Sequence, residues 1–141
     1  MVKVKVWCRV DELEDPDRVK KALTSIFPTI RFRRTEDGFE GEGKQKDLMF
    51  LKELVWSKRV LDTVRSSLIR NLKNNRTELM LHKQAAFAGK LGVVESDEES
   101  PFGAIHVLFE GNVEEFIDWF SPKTKDGKPV TKNQRHSSYR S

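Results

Sequence analysis

Val2, Val4, Val6, Cys8 and Val10 alternate with Lys3, Lys5, Trp7 and Arg9. A period of two places the first set on one face of a β-strand and the second set on the other. Such a strand needs apolar cover on one side only, so it predicts a sheet with one dry face and one face turned to water.

Helical segments further along the chain supply the cover. Asp15 before Pro16 is an N-cap and first-turn signal, and Val19, Ala22, Leu23 and Ile26 recur at helical spacing until Pro28. Residues 29–34 and 39–45 read as two short strands around Glu36, Asp37 and Gly38, where Asp-Gly is expected to supply the positive backbone angles of a tight hairpin turn. Asp47 is expected to cap a second helix running to Trp56. Val60, Leu61, Val64, Leu68 and Leu72 then form the apolar stripe of a third. Residues 76–82 alternate again. Residues 83–90 fit either a short helix or a looped crossing, 92–94 make at most a short strand, and 95–101 form an acidic loop. Residues 104–110 read as a strand. Asn112 with Glu115 three residues on has the form of a capping box opening a last helix, which Pro122 stops.

Strands interleaved with helices predict a single α+β domain over residues 1–122. Its sheet is mostly antiparallel and one-sided, packed against about four helices. Residues 123–141 are mostly Lys, Arg, Thr, Ser and other polar residues with almost no apolar side chain, and a basic, disordered tail is expected there. With 141 residues the chain can bury a core without disulfides or a structural metal, and its single cysteine forbids an internal bridge. The longest unbroken apolar runs, 48–51 and 85–88, are four residues. No bilayer crossing is predicted, and no signal peptide is visible in the basic, alternating N-terminal stretch. A soluble, reduced, cytoplasmic setting is the expectation.

The net charge of +4 invites a nucleic-acid reading, but its distribution changes that argument. Residues 1–43 hold nine basic and nine acidic side chains, residues 44–90 eleven and four, residues 91–121 none and eight, and residues 122–141 six and one. The domain without its tail is nearly neutral, so the informative feature is internal polarity. A basic middle and an acidic sequel either form two faces of opposite sign or neutralise each other in the fold.

The residues needed for an enzyme do not assemble in the sequence. His82, His106 and His136 are far apart, with no partner at zinc spacing. Ser66 and Ser67 lie mid-helix without a glycine elbow. Glu95, Asp97, Glu98 and Glu99 do not match a calcium loop and read as a solvated turn. Gly41-Glu42-Gly43 lacks the sequel of a phosphate loop. Gly89-Lys90-Leu91-Gly92 has the G-x-x-G form of one RNA-binding fold, but Val93 and Val94 look extended where that fold needs a helix. No enzyme, cofactor or metal is predicted.

The basic middle is the better binding candidate. Opposite its apolar stripe the third helix carries Asp62, Ser66, Arg70 and Lys73, with Arg65 at the margin and Arg76 just beyond, and Lys58, Arg59, Lys83 and Lys90 extend this into a track suited to phosphates. An ordinary solvated helix face fits the same residues, and Asp62 is placed to pair with a neighbouring arginine. Lys3, Lys5, Trp7 and Arg9 offer a second basic surface with an aromatic on which a base can stack, unless a helix covers Trp7.

Several blocks resemble one known family. They are Arg59-Val60-Leu61-Asp62-Thr63-Val64-Arg65 leading to Leu68-Ile69-Arg70; Lys83-Gln84-Ala85-Ala86-Phe87 with Gly89; Glu98-Glu99-Ser100-Pro101 with Gly103; and Ile117-Asp118-Trp119. In order and spacing they are similar to the signature blocks of a family of small archaeal proteins described as RNA-binding proteins or predicted exosome subunits. The resemblance reaches to about Lys123 and implies a fold like that of the large-subunit ribosomal protein that binds 5S ribosomal RNA. It implies RNA as the partner and no reaction, since a shared fold need not carry a shared function. Together, residues and resemblance predict a non-enzymatic RNA-binding domain. Its phosphate contacts are expected from Arg59, Arg65, Arg70, Lys73, Arg76, Lys83, Gln84 and Lys90. The alternative is a protein-interaction subunit of an RNA-processing or translation assembly, docking through the acidic residues 91–121 on a basic partner.

Overall fold

The computed structural model describes residues 1–57, 59–125 and 128–129. Six strands, β1 (Val2–Arg9), β2 (Phe32–Arg34), β3 (Gly38–Lys44), β4 (Arg76–Leu81), β5 (Val93–Val94) and β6 (Ile105–Gly111), form one sheet. Their order is β2-β3-β1-β6-β4-β5, and every neighbouring pair is antiparallel.

The alternation expected of β1 is realised. Val2, Val4, Val6 and Cys8 are buried while Lys3, Lys5 and Arg9 are exposed and Trp7 is half-buried. Helices α1 (Pro16–Ile26), α2 (Met49–Ser57), α3 (Leu61–Arg70) and α5 (Val113–Phe120) cover the dry face. They contribute Val19, Leu23 and Ile26, Leu51 and Val55, Val64 and Leu68, and Phe116 and Phe120 to one core with Leu79, Ile105, Val107 and Phe109 of the sheet. Burying side chains of this kind is worth about 1.5–3 kcal/mol each, which is why every helix turns its stripe to the same side. The ambiguous segment after β4 holds a short helix, α4 (Lys83–Phe87), capped by His82 Nδ1 accepting from the Ala85 amide at 3.2 Å.

Asp15 caps α1 as expected, its Oδ1 accepting from the Asp17 amide at 3.0 Å. Three other local expectations fail for tertiary reasons. Asp47 does not open α2, because a 3-10 turn (Gln45–Leu48) intervenes. Its carboxylate instead accepts from the Lys44 amide and from Thr29 Oγ1, at 2.8 and 2.6 Å. Asn112 makes no side-chain cap on α5. No residue of the β2–β3 turn has a positive φ. Thr35 closes that turn, accepting the Gly38 amide on its Oγ1 and donating its own amide to Gly38 O. Gly38 is required there for space, since a Cβ would stand 2.0 Å from Cys8 O.

Past the domain boundary expected at residue 122, Thr124–Lys125 (β7) pairs with Lys128–Pro129 (β8) as a small antiparallel ladder. Residues 126–127 and 130–141 of the expected disordered tail lie outside the described residues, as does Lys58.

Candidate nucleic-acid interface

The eight cations and amides singled out in the sequence do not form one surface. Lys83 is fully buried: its Nζ donates to Arg9 O at 2.6 Å, Phe102 O at 2.9 Å and Glu14 Oε1 at 3.0 Å, so all three ammonium protons are used inside the protein. This corrects its assignment as a phosphate contact. Arg65, with 15% of its side chain exposed, pairs through Nη1 with Asp118 Oδ1 at 2.9 Å and donates to Ser121 O at 3.1 Å, tying α3 to the end of α5. Arg70 and Arg76 are exposed but pair with Glu95 and Glu110 at 3.3 and 3.0 Å. Gln84 is half-buried on α4. Arg59, Lys73 and Lys90 are exposed, with no ion pair among the described residues. Among the described residues Asp62 takes no arginine; its Oδ1 accepts from Thr124 Oγ1 at 2.8 Å.

Of the two arrangements open to the basic middle and the acidic sequel, neutralisation therefore accounts for three pairs. Arg65, Arg70 and Arg76 each meet an acid from residues 91–121. On α3 itself Arg70 is exposed and paired with Glu95, and Arg65 is largely buried.

The open face of the sheet is different. Among the described residues no helix covers Trp7, because the core side chains of the helices pack with Val2, Val4, Val6 and Cys8 on the opposite side of β1. Register places the outward side chains in rows: Lys44, Lys3, Glu110 and Arg76; then Glu42, Lys5, Leu108 and Glu78; then Glu40, Trp7, His106 and Met80. The first row carries three cations and one acid. In the third, the Trp7 and His106 rings stack with centroids 5.0 Å apart and planes 11° apart. Lys5 Nζ lies 5.9 Å from the Trp7 centroid, a cation–π arrangement. Across β2 and β3, Arg33 pairs with Glu40.

Beyond the aromatic row the 97–103 loop borders an open cleft of about 460 Å³, whose lining includes Trp7, Arg9, Asp97, Phe102, Gly103 and His106. Asp97 Oδ1 accepts from the Ala104 amide at 2.8 Å and meets His106 Nε2 at 3.0 Å. The Ala104 amide first, then His106 and the Arg9 charge, hold the Asp97 carboxyl below its ordinary range. Phe102 adopts φ 64° with 37% of its surface exposed, and Gly103 follows at φ 93°. A bulky residue in that region costs on the order of 1–3 kcal/mol and persists only where its surroundings impose it. Here they do: Lys83 Nζ holds Phe102 O, the Lys83 amide donates to Ser100 Oγ at 2.9 Å, and Ser100 Oγ donates to Gly103 O at 2.8 Å.

Sequence reasoning missed this cleft. Its one legible signal was Trp7 among cations, while Phe102 and His106 gave none. A second cleft, of about 380 Å³, is lined by residues of α2 and α5. There Lys52 Nζ sits 4.1 and 5.0 Å from the Trp56 and Trp119 ring centroids, and burial pushes its amine down. Among the described residues no three metal-ligating side chains gather, and no helix is long and apolar enough to cross a membrane.

Residues 3–110 match a protein-family model described as RNA binding. A UPF0201 protein of Saccharolobus solfataricus is 35% identical over 139 residues, spanning 94% of this chain and 96% of that protein. One from Aeropyrum pernix is 35% identical over 136 residues, spanning 92% and 91%. The crystal structure of a UPF0201 protein from Methanococcus jannaschii superposes with a TM-score of 0.79 at 31% identity, covering 92% of this chain and 99% of that one.

Proposed function

We propose that this chain, which belongs to the UPF0201 family and is matched over residues 3–110 by a model described as RNA binding, is a non-enzymatic RNA-binding protein that uses the open face of its sheet. One observation supports this reading most: an uncovered face that sets the Trp7–His106 stack among Lys3, Lys5 and Arg9. Cations on such a face replace the counterions of a phosphate backbone, and an exposed ring gives a base somewhere to stack.

Lys3 and Trp7 are four residues apart on one strand, about 13 Å. A strand of RNA lying along β1 then meets Lys44 and Lys3 with its phosphates and the aromatic row with a base further on. Lys73, whose backbone bridges to that of Arg76 across the preceding turn, continues the basic end. Arg59, Arg70 and Lys90 belong to no strand of this face, and the rival placement, on the helices and their connections, rests on them.

The test is RNA affinity of the full chain across a salt series. Lys3→Ala with Lys5→Ala is expected to weaken binding and to reduce the slope of log affinity against log salt by about 1.4, roughly 0.7 for each single-strand phosphate contact removed. Arg59→Ala with Arg70→Ala and Lys90→Ala is expected to leave the slope in place. The reverse pattern would move the site to the helix side. The charge of the residues beyond Lys123 is common to all variants and cancels.

A further inference from the structure

We infer that the cleft under the 97–103 loop is a slot for one unstacked nucleobase, so that the protein takes single-stranded rather than duplex RNA. This rests on the RNA-binding reading and adds to it where a base goes and which form of RNA fits.

A base presents two π faces and an edge of donors and acceptors. The cleft presents matching elements: the Trp7–His106 stack, the exposed Phe102, the Arg9 guanidinium and the Asp97 carboxylate all line it. Its volume of about 460 Å³ exceeds that of a base. Phe102 carries the argument furthest. Its ring belongs to no part of the hydrophobic core, and its backbone holds an angle that glycine would adopt without strain. A position that suits glycine nevertheless carries an aromatic ring at the mouth of an aromatic-lined cleft, and strain of this kind concentrates where a ligand is held.

Rigidity is built in as well. The buried Lys83 ammonium bonds Phe102 O and also Arg9 O, at the end of β1, so one side chain fixes the loop against the strand that bears Trp7 and Arg9. Lys83 acts as a positioning residue for the slot. A paired, stacked duplex offers no free π face to such a cleft, whereas single strands bind by stacking successive bases on aromatic side chains.

The experiment measures affinity of the full chain for a short dye-labelled single-stranded RNA and for its duplex, using the parent, Phe102→Gly and Phe102→Tyr, with thermal melts alongside. The single strand is expected to bind at least tenfold more tightly than the duplex. Phe102→Gly is expected to melt no lower than the parent yet lose roughly five- to hundredfold in single-strand affinity, with its salt slope unchanged because no charge is removed. Phe102→Tyr is expected to keep the affinity. Equal affinity for both RNA forms, or a Phe102→Gly protein that binds as the parent does, overturns the slot while leaving RNA binding intact. A parent protein that binds neither form at low salt overturns both.

Discussion

Lys83 Nζ and Glu14 Oε1 lie 3.0 Å apart with side chains 0% and 4% exposed, and the Glu14 Oε2 beside them is buried with no hydrogen-bond partner among the described residues. The lysine is fully satisfied by three acceptors. The carboxylate depends on Lys83 and on the Asp11 amide, which donates to Oε1 at 2.9 Å. Because the other two lysine acceptors are carbonyls of Arg9 and Phe102, this pair ties the end of β1, the 11–14 loop, α4 and the 97–103 loop into one unit.

Lys83→Met is therefore expected to destabilise the protein by about 3–5 kcal/mol, since it leaves a buried carboxylate without its cation. Adding Glu14→Leu is expected to recover most of that loss, because the uncompensated charge goes with it. Urea melts of the single and double variants check this. A single variant as stable as the parent would mean that the pair contributes nothing net.

Arg65 gives a second contrast between stability and binding. Its guanidinium bonds Asp118 and Ser121 O from a largely buried position. Arg65→Ala is expected to cost about 1–3 kcal/mol in denaturant melts. The salt slope of RNA binding should be unchanged. A lower slope with full stability would return Arg65 to the phosphate-binding set.

Cys8 faces the core beside the Lys83–Glu14 pair, and burial pushes its thiol up to about 11, the nearby Lys83 charge opposing and Glu14 adding to the effect. A thiol in this state is expected to resist alkylation at neutral pH and to react only on unfolding. The folded form holds its proton more tightly than the unfolded one. Its contribution to stability is thus complete below about pH 9.0 and is lost as pH rises toward 11. Comparing the pH dependence of stability in the parent and in Cys8→Ala checks the sign; the variant should lose less between those limits.

Much of the architecture was legible because its signals are local. β1 declared both of its faces through strict alternation, α1 was announced by Asp15-Pro16 and its apolar stripe, and the acidic 95–101 segment was legible as a loop. The failures were also instructive. Asp47 and Asp62 have the composition of a helix cap and a helix ion-pair partner, yet each bonds a threonine distant in sequence, Thr29 and Thr124.

The candidate site was less legible. Lys83 sits in a block that reads as surface, because a lysine beside a glutamine and small residues gives no local hint of burial. Its acceptors on Arg9 and Phe102 are 74 and 19 residues away. Phe102 sits in an acidic turn before Gly103, closed by the Gly103 amide on Ser100 O, and the bonds of Lys83 and of Ser100 Oγ hold its backbone angle.

By itself the sequence determined that β1 has one apolar face and one basic face, with Trp7 among the lysines of the second; whether a helix covered Trp7 was decided by the tertiary structure. Period and capping act over a few residues, so the chain carries that information wherever it folds. Tertiary structure alone decided which cations remain for a partner, because a charge is spent or spared according to what long-range packing sets beside it. Arg65, Arg70 and Arg76 found acids on distant segments, and Lys83 was drawn inside to hold the loop that completes the cleft.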